Sequence, residues 1–252
     1  MKCHKYFQHK KFPFFAVKDV EYDNFMKLWV VTPLDDHFPE GFVKIEKLQI
    51  LWITESLKMA KLPVSRIISK TAVFDMKDLW LLEQNLLFDE FKLLTASGNV
   101  KFLRLDETKI KYENGDSVFI DELFEFLPNI EHITVFSHGP NLFSSNFAST
   151  FEKIDASKLK LVDLELSSFN DFEKFSKFMD QNPHVEYSID FVHCKFSSEE
   201  RLAFHNYVQR IIDAGLTEFP PPKIEFNGHI NTQWEALRSL IRQYNDKHFL
   251  NP

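Results

Sequence analysis

With 252 residues, 44% of them hydrophobic and 27% charged, the chain has the composition of a folded protein with a full core, which argues against disorder. A net charge of −7 and a pI near 5.8 work against a nucleic-acid partner, which favours a basic face. Six glycines leave little material for a phosphate-cradling loop, and 28 phenylalanines predict a core filled by rings.

The first 40 residues show no clear period and are expected to form an N-terminal segment that caps the rest or is partly disordered. The basic cluster His4, Lys5, His9, Lys10 and Lys11 reads as a solvated terminus. Phe12-Pro13-Phe14-Phe15-Ala16-Val17 is too short and broken for a signal-peptide core, and no apolar run approaches the ~20 residues of a membrane span. Asp35-Asp36-His37, between Pro33 and Pro39, reads as a polar loop rather than a carboxylate–histidine site. Cys3 and Cys194 suggest no disulfide framework, and no Asn-x-Ser/Thr acceptor occurs. An intracellular protein, cytoplasmic or nuclear and not bound to membranes, is expected.

Residues 41–252 read as one irregular domain. Ile45-x-x-Leu48-x-Ile50 opens a spelling that recurs as Val100-x-x-Leu103-x-Leu105-x-x-Thr108-x-Ile110 and Leu159-x-x-Val162-x-Leu164-x-x-Ser167-x-Phe169. Glu186-x-x-Ile189-x-Phe191-x-x-Cys194-x-Phe196 fits apart from its first position, and Ile130-x-x-Ile133-x-Val135-x-x-His138 fits until Pro140. This is the spelling of a leucine-rich repeat. Leu103, Ile133, Val162 and Ile189 stand 30, 29 and 27 residues apart, room for a strand and a helix in each unit.

Between Leu48 and Leu103 a weak unit is expected near Thr71 to Met76, followed by a helical block from Asp75 to Ala96 that divides near Asn85. Further helices are predicted over Ser117–Leu127, stopped by Pro128, and over Asn170–Gln181, with Asn170 as N-cap. Ser197-Ser198-Glu199-Glu200 is a capping box opening a helix through Ile212 that Gly215 closes. Phe219-Pro220-Pro221-Pro222 is an extended connector, Ile224-x-Phe226-x-x-His229 an atypical last strand, and Thr232-Gln233-Trp234-Glu235 the start of a C-terminal capping helix. The predicted fold is thus α/β, a leucine-rich-repeat-like solenoid with a parallel sheet on the concave side and helices on the convex side.

In that frame three rows of side chains face the concave side: Phe102, His132, Leu161 and Ser188; Arg104, Thr134, Asp163 and Asp190; Asp106, Phe136, Glu165 and Val192. Phe102, Phe136 and Leu161 are costly to leave in water, so this face is the candidate binding surface unless the N-terminal segment or a loop covers it. The acidic pairs Asp106 and Glu107, Asp163 and Glu165, and Asp171 and Glu173 read as ordinary solvated surface. No nucleophile elbow, phosphate loop, His-Glu-x-x-His or Cys-x-x-Cys occurs. His184, His193, Cys194 and His205 match no familiar zinc spacing, so neither catalytic residue, metal nor cofactor is expected.

The run Val100 to Phe136, with its strand, Thr108-x-Ile110 turn, Tyr112-Glu113-Asn114-Gly115, amphipathic helix and Leu127-Pro128-Asn129-Ile130, resembles the irregular leucine-rich-like domains of large nematode families. Many of those stand behind an F-box in ubiquitin-ligase receptors. The resemblance covers roughly residues 45–226 and implies a non-enzymatic, substrate-binding curve of repeats with a protein partner. It also implies an alternative: a substrate-recognition subunit of a ubiquitin ligase with a lost or degenerate F-box, whose partner would include the ligase's adaptor. Neither Phe12-Pro13-Phe14-Phe15 nor Val30-Val31-Thr32-Pro33 restores the F-box pattern.

Overall fold

The structure, a computed structural model, describes residues 14–34, 41–44, 47, 49–137, 142–151, 155–191 and 194–249. The basic cluster near the start, Asp35-Asp36-His37, Ile45, Leu48, His138 to Pro140, Val192 and His193 lie outside these. The chain is mixed α/β with largely parallel sheet pairing, and it divides into two compact units: residues 1–118 with 123–130, and residues 119–122 with 131–252. Among the described residues neither the first unit's edge strand nor the last strand of the second pairs further, so no barrel closes.

In the first unit a hairpin of β1 (Phe15–Asp23) and β2 (Leu28–Pro33) stands where the sequence shows no period. Its turn is held by Asp23, whose Oδ1 accepts from the N–H groups of Phe25 and Met26, both at 2.8 Å. β3 (Gly41–Val43) extends β2 antiparallel, while β4 (Leu51–Ala60) lies parallel to β1. The sheet continues through β6 (Asp78–Leu82) to β8 (Phe102–Asp106), with β5 (Thr71–Phe74) paired to the start of β4. Short helices α1 (Ser65–Ile68) and α2 (Phe88–Leu94) follow β4 and β7 (Asn85–Leu87), and β7 pairs in parallel with β9 (Lys109–Lys111).

Two expectations are corrected here. The helical block from Asp75 to Ala96 is β6, β7 and only then a helix. Leu79 and Leu81 are fully buried on one face, but Trp80 and Leu82 on the other face are also apolar, which hides the strand's period of two. With β6 in place, Met76-x-x-Leu79-x-Leu81-x-x-Gln84-x-Leu86 spells the repeat more fully than some copies read from the sequence. The early unit at Ile45-x-x-Leu48-x-Ile50 is not a strand at its one described residue. Ile50 precedes β4 and is exposed, and the row beside Leu79 and Leu103 is filled by Leu57.

Each of β4, β6 and β8 is followed by a residue with positive φ that is not glycine: Lys61 (62°), Glu83 (52°) and Glu107 (47°). These turns bond to the next strand, Lys61 N–H to the Leu82 carbonyl at 3.1 Å and Glu83 N–H to that of Asp106 at 2.8 Å. Thr108, at the ninth position of its copy, donates to the Leu81 carbonyl at 3.0 Å and so ties its turn to the preceding strand, β6.

The second unit holds a parallel sheet in the order β10 (His132–Phe136), β11 (Leu161–Glu165), β12 (Glu186–Phe191) and β13 (Lys223–Phe226). Its helices are α3 (Ile120–Leu123), α4 (Phe147–Phe151), α5 (Phe169–Gln181), α6 (Ser198–Ala214) and α7 (Asn231–Phe249). The predicted helix over Ser117–Leu127 is α3 followed by a 3-10 turn, Phe124–Phe126, with the division falling between Glu122 and Leu123 at the end of α3. The capping box of α6 forms as expected, with Ser197 Oγ accepting from Glu200 N–H, and Gly215 closes the helix at φ 65°. The N-cap of α5 is Ser168 rather than Asn170: its Oγ accepts from Asp171 N–H at 3.1 Å.

The Phe-rich core is plainest here. Phe204 on α6 is fully buried and touches the rings of Phe169, Phe172, Phe191, Phe196 and Phe226 at centroid distances of 4.6–5.0 Å. Two aspartates thought to be surface acids are core elements. Asp171 is buried and accepts from Leu142 N–H and Ser168 Oγ, and Asp106 is 6% exposed. Asp121, also buried, accepts from both the N–H and the Oγ of Ser144, so these carboxylates fix the start of the segment after residue 141.

Candidate functional site

Alternation along each strand sorts the predicted binding residues onto the face away from the buried side chains. In the first unit the parallel register sets Asp19, Ser56, Asp78 and Phe102 in one row, and Glu21, Lys58, Trp80 and Arg104 in the next. Ala60, Leu82 and Asp106 form a third. Phe102 is 40% exposed and Arg104 is exposed, whereas Asp106 turns inward between its neighbours.

Asp106 organises this face. Its Oδ2 accepts from Trp80 Nε1 at 2.9 Å and from Arg104 Nε at 2.8 Å, and the Arg104 guanidinium lies 4.9 Å from the Trp80 ring centroid. Its buried Oδ1 has no hydrogen-bond partner among the described residues. Trp80 was not among the residues singled out from the sequence, because it sat inside the supposed helix. Beside it a recess of about 300 Å³ opens among Glu21, Tyr22, Lys58, Ala60, Trp80 and Leu82. At the far row Ser56 Oγ donates to Asp19 Oδ1 at 2.6 Å. Burial raises the Asp78 carboxyl above the usual range, Lys58 opposes that shift and Asp19 adds to it.

In the second unit His132, Thr134 and Phe136 on β10, Leu161, Asp163 and Glu165 on β11, and Ser188 and Asp190 on β12 all lie half-buried on the non-core face. The lateral rows differ from the expected ones on β12. Glu186 stands beside Leu161, Ser188 beside Asp163 and Asp190 beside Glu165, a shift of two residues. The inward ladder is Val162 with Tyr187 and Leu164 with Ile189, so an aromatic residue occupies the position where the sequence frame sought an aliphatic one. The corrected row Glu165, Asp190 and Glu225 places three carboxylates across adjacent strands.

The histidine and cysteine cluster has other uses. His184 Nε2 meets the Ala156 carbonyl at 3.0 Å, His205 Nδ1 meets Gln233 Oε1 at 3.0 Å, and Cys194 Sγ donates to the Leu166 carbonyl at 3.4 Å. Burial, and after it Glu165, pushes the Cys194 thiol up, away from the reactive thiolate. Among the described residues no group of three or more His, Cys, Asp or Glu is arranged to hold a metal ion, and no helix is long and apolar enough to cross a membrane.

Comparison with protein-family models, with curated proteins and with solved structures gives no match for this chain.

Proposed function

We propose that this chain is a non-enzymatic protein-binding module, built as a leucine-rich-like stack of strand-and-helix units, which engages a protein partner through its non-core sheet surface. The observation that carries this reading is the patch of Phe102, Trp80 and Arg104 on the first unit. It leaves a phenylalanine 40% exposed beside a tryptophan and an arginine that Asp106 holds in place. Tryptophan and arginine are enriched among residues that dominate binding energy, and fixing them before the partner arrives lowers the ordering cost. The carboxylate row Glu165, Asp190 and Glu225 favours basic groups on whatever meets the second unit.

The test is affinity purification with mass spectrometry to name the partner, followed by titration of that partner against Phe102→Ala, Arg104→Glu and Phe136→Ala together. At least tenfold weaker binding is expected, with an unchanged far-UV spectrum. Unchanged affinity sinks the face assignment. Recovery of a ubiquitin-ligase adaptor under native conditions favours the substrate-receptor alternative, and its clean absence removes that alternative.

A further inference from the structure

We propose that copies of this chain associate head to tail, with Phe25 and Met26 at the tip of one copy's β1–β2 hairpin entering an apolar recess between α5, α6 and residues 217–222 of the next. Phe25 is 94% exposed and Met26 53%. A single apolar side chain in water is ordinary, but these two are adjacent and held in place. Asp23 Oδ1 takes both of their N–H groups at 2.8 Å, and Lys27 closes the turn at φ 53°. The backbone donors of the tip are therefore satisfied from within. Burying the tip strands neither N–H, and little backbone ordering is left for the moment of contact.

The recess lies in the second unit and holds about 290 Å³, the volume of about ten waters at ~30 Å³ each and room for one aromatic ring. Pro183, Ile211, Ala214, Phe219, Pro220 and Pro221 line it, and each is at least partly open to solvent. The proline rings and the Phe219 ring are flat apolar walls against which a further ring packs. On another side Arg210 Nη2 donates to both carboxylate oxygens of Asp180 at 2.9 Å, so these two lining charges cancel and the recess favours an uncharged group. The surroundings of tip and recess are complementary in charge. Lys27 and Lys44 are exposed at the tip, Lys44 following Val43, which pairs with Trp29 beside the turn. Asp213 and Glu218 are exposed next to residues that line the recess, and none of the four has an ion pair among the described residues. Tip and recess are different surfaces, so the contact is heterologous: each pair of copies leaves one tip and one recess free, and growth stops only where a ring closes. A ring in a recess buries less than a lasting interface does, so the association is reversible and grows with concentration.

This inference does not depend on the sheet surface proposed above. The experiment is sedimentation velocity of the full chain from micromolar to millimolar concentration, where the average mass is expected to rise. Phe25→Ser removes the tip and Ala214→Arg fills the mouth of the recess, and each should weaken association at least tenfold. In an equimolar mixture the two variants should form a complex again and stop at two copies, because one brings the intact recess and the other the intact tip. A chain that stays monomeric throughout leaves the tip to a different protein or a lipid surface and overturns the proposal. Association untouched by either variant, or variants that fail to rescue each other, overturns it as well. Phe25 and Ala214 are both exposed, and circular dichroism checks that the variants remain folded.

Discussion

Replacing Asp106 by alanine is the most telling perturbation of the first unit's candidate surface. Its Oδ2 receives the Trp80 N–H and one edge of the Arg104 guanidinium, and Arg104 is about half exposed. A hydrogen bond to a charged acceptor contributes about 1.5–3 kcal/mol, whereas a solvent-exposed ion pair contributes roughly 0.2–1 kcal/mol. The tryptophan bond therefore dominates. The Asp106 Oδ1, buried and without a hydrogen-bond partner among the described residues, offsets part of that gain. The expected net loss for Asp106→Ala is therefore about 1–2 kcal/mol, less than the sum of the two bonds. Urea unfolding followed by circular dichroism measures it, and two double-mutant cycles apportion it. Trp80→Phe with Asp106→Ala should show the larger coupling, and Arg104→Ala with Asp106→Ala should show less than about 1 kcal/mol. The reverse order, or an Asp106→Ala variant within about 0.5 kcal/mol of wild type, would refute the claim that this carboxylate holds the patch.

Three further outcomes are expected. Phe204→Ala should cost about 3–5 kcal/mol in chemical denaturation, because five rings lose a common partner, and Phe204→Leu about 1.5 kcal/mol or less. At Glu83, with φ 52°, stability should fall in the order Gly, Glu, Val, since glycine relieves about 1–2 kcal/mol of left-handed strain and a β-branched residue adds to it. The glycine gain is trimmed by about 0.4–1 kcal/mol of unfolded-chain freedom, and a valine variant as stable as wild type would contradict the turn. His229 accepts a hydrogen bond at Nε2, and burial holds its pKa below the ordinary 6.5. The native state therefore binds fewer protons than the unfolded chain. Its contribution to stability is present above pH 6.5 and is lost as pH falls from there toward the depressed folded value. Thermal melts across that window should flatten in His229→Gln, and imidazole chemical shifts showing His229 protonated at pH 6.5 would exclude the mechanism.

Much of the second unit is legible in the sequence because its signals are local. Ser197 and Glu200 sit three apart and form the box their spacing predicts, and Gly215 closes that helix. The strands at Leu103, Ile133 and Val162 carry clean alternation and appear where expected. The misses share a cause: identity on one face confused the reading of the other. Trp80 and Leu82 gave β6 an apolar outer face and the look of a helix, which also hid the partner of Asp106. Tyr187 replaced an aliphatic ladder residue and moved the frame on β12 by two. The hairpin of β1 and β2 turns at Asp23-Asn24 without a glycine, and the flanking strands lack a clear alternation that would have made this pair read as a turn. Burial of Asp106 and Asp171 depends on donors far along the chain or on a facing strand, which no short window contains.

The left-handed turns at Lys61, Glu83 and Glu107 carry a consequence for how such a chain can change over generations. Each ends its strand with the same backbone twist, and the first two are tied to the neighbouring strand by an amide rather than by a side chain. Residues inserted or deleted beyond the turn therefore have no lever on the register of the strand before it. Segments such as 62–70 and 88–99 keep buried anchors, Val64 and Ile67 in the first and Phe91 and Leu94 in the second, and can vary at their exposed positions while the ladder of Leu57, Leu79 and Leu103 stays in place. Substitutions are therefore tolerated first at the exposed positions of the connecting segments and last in the strands they join.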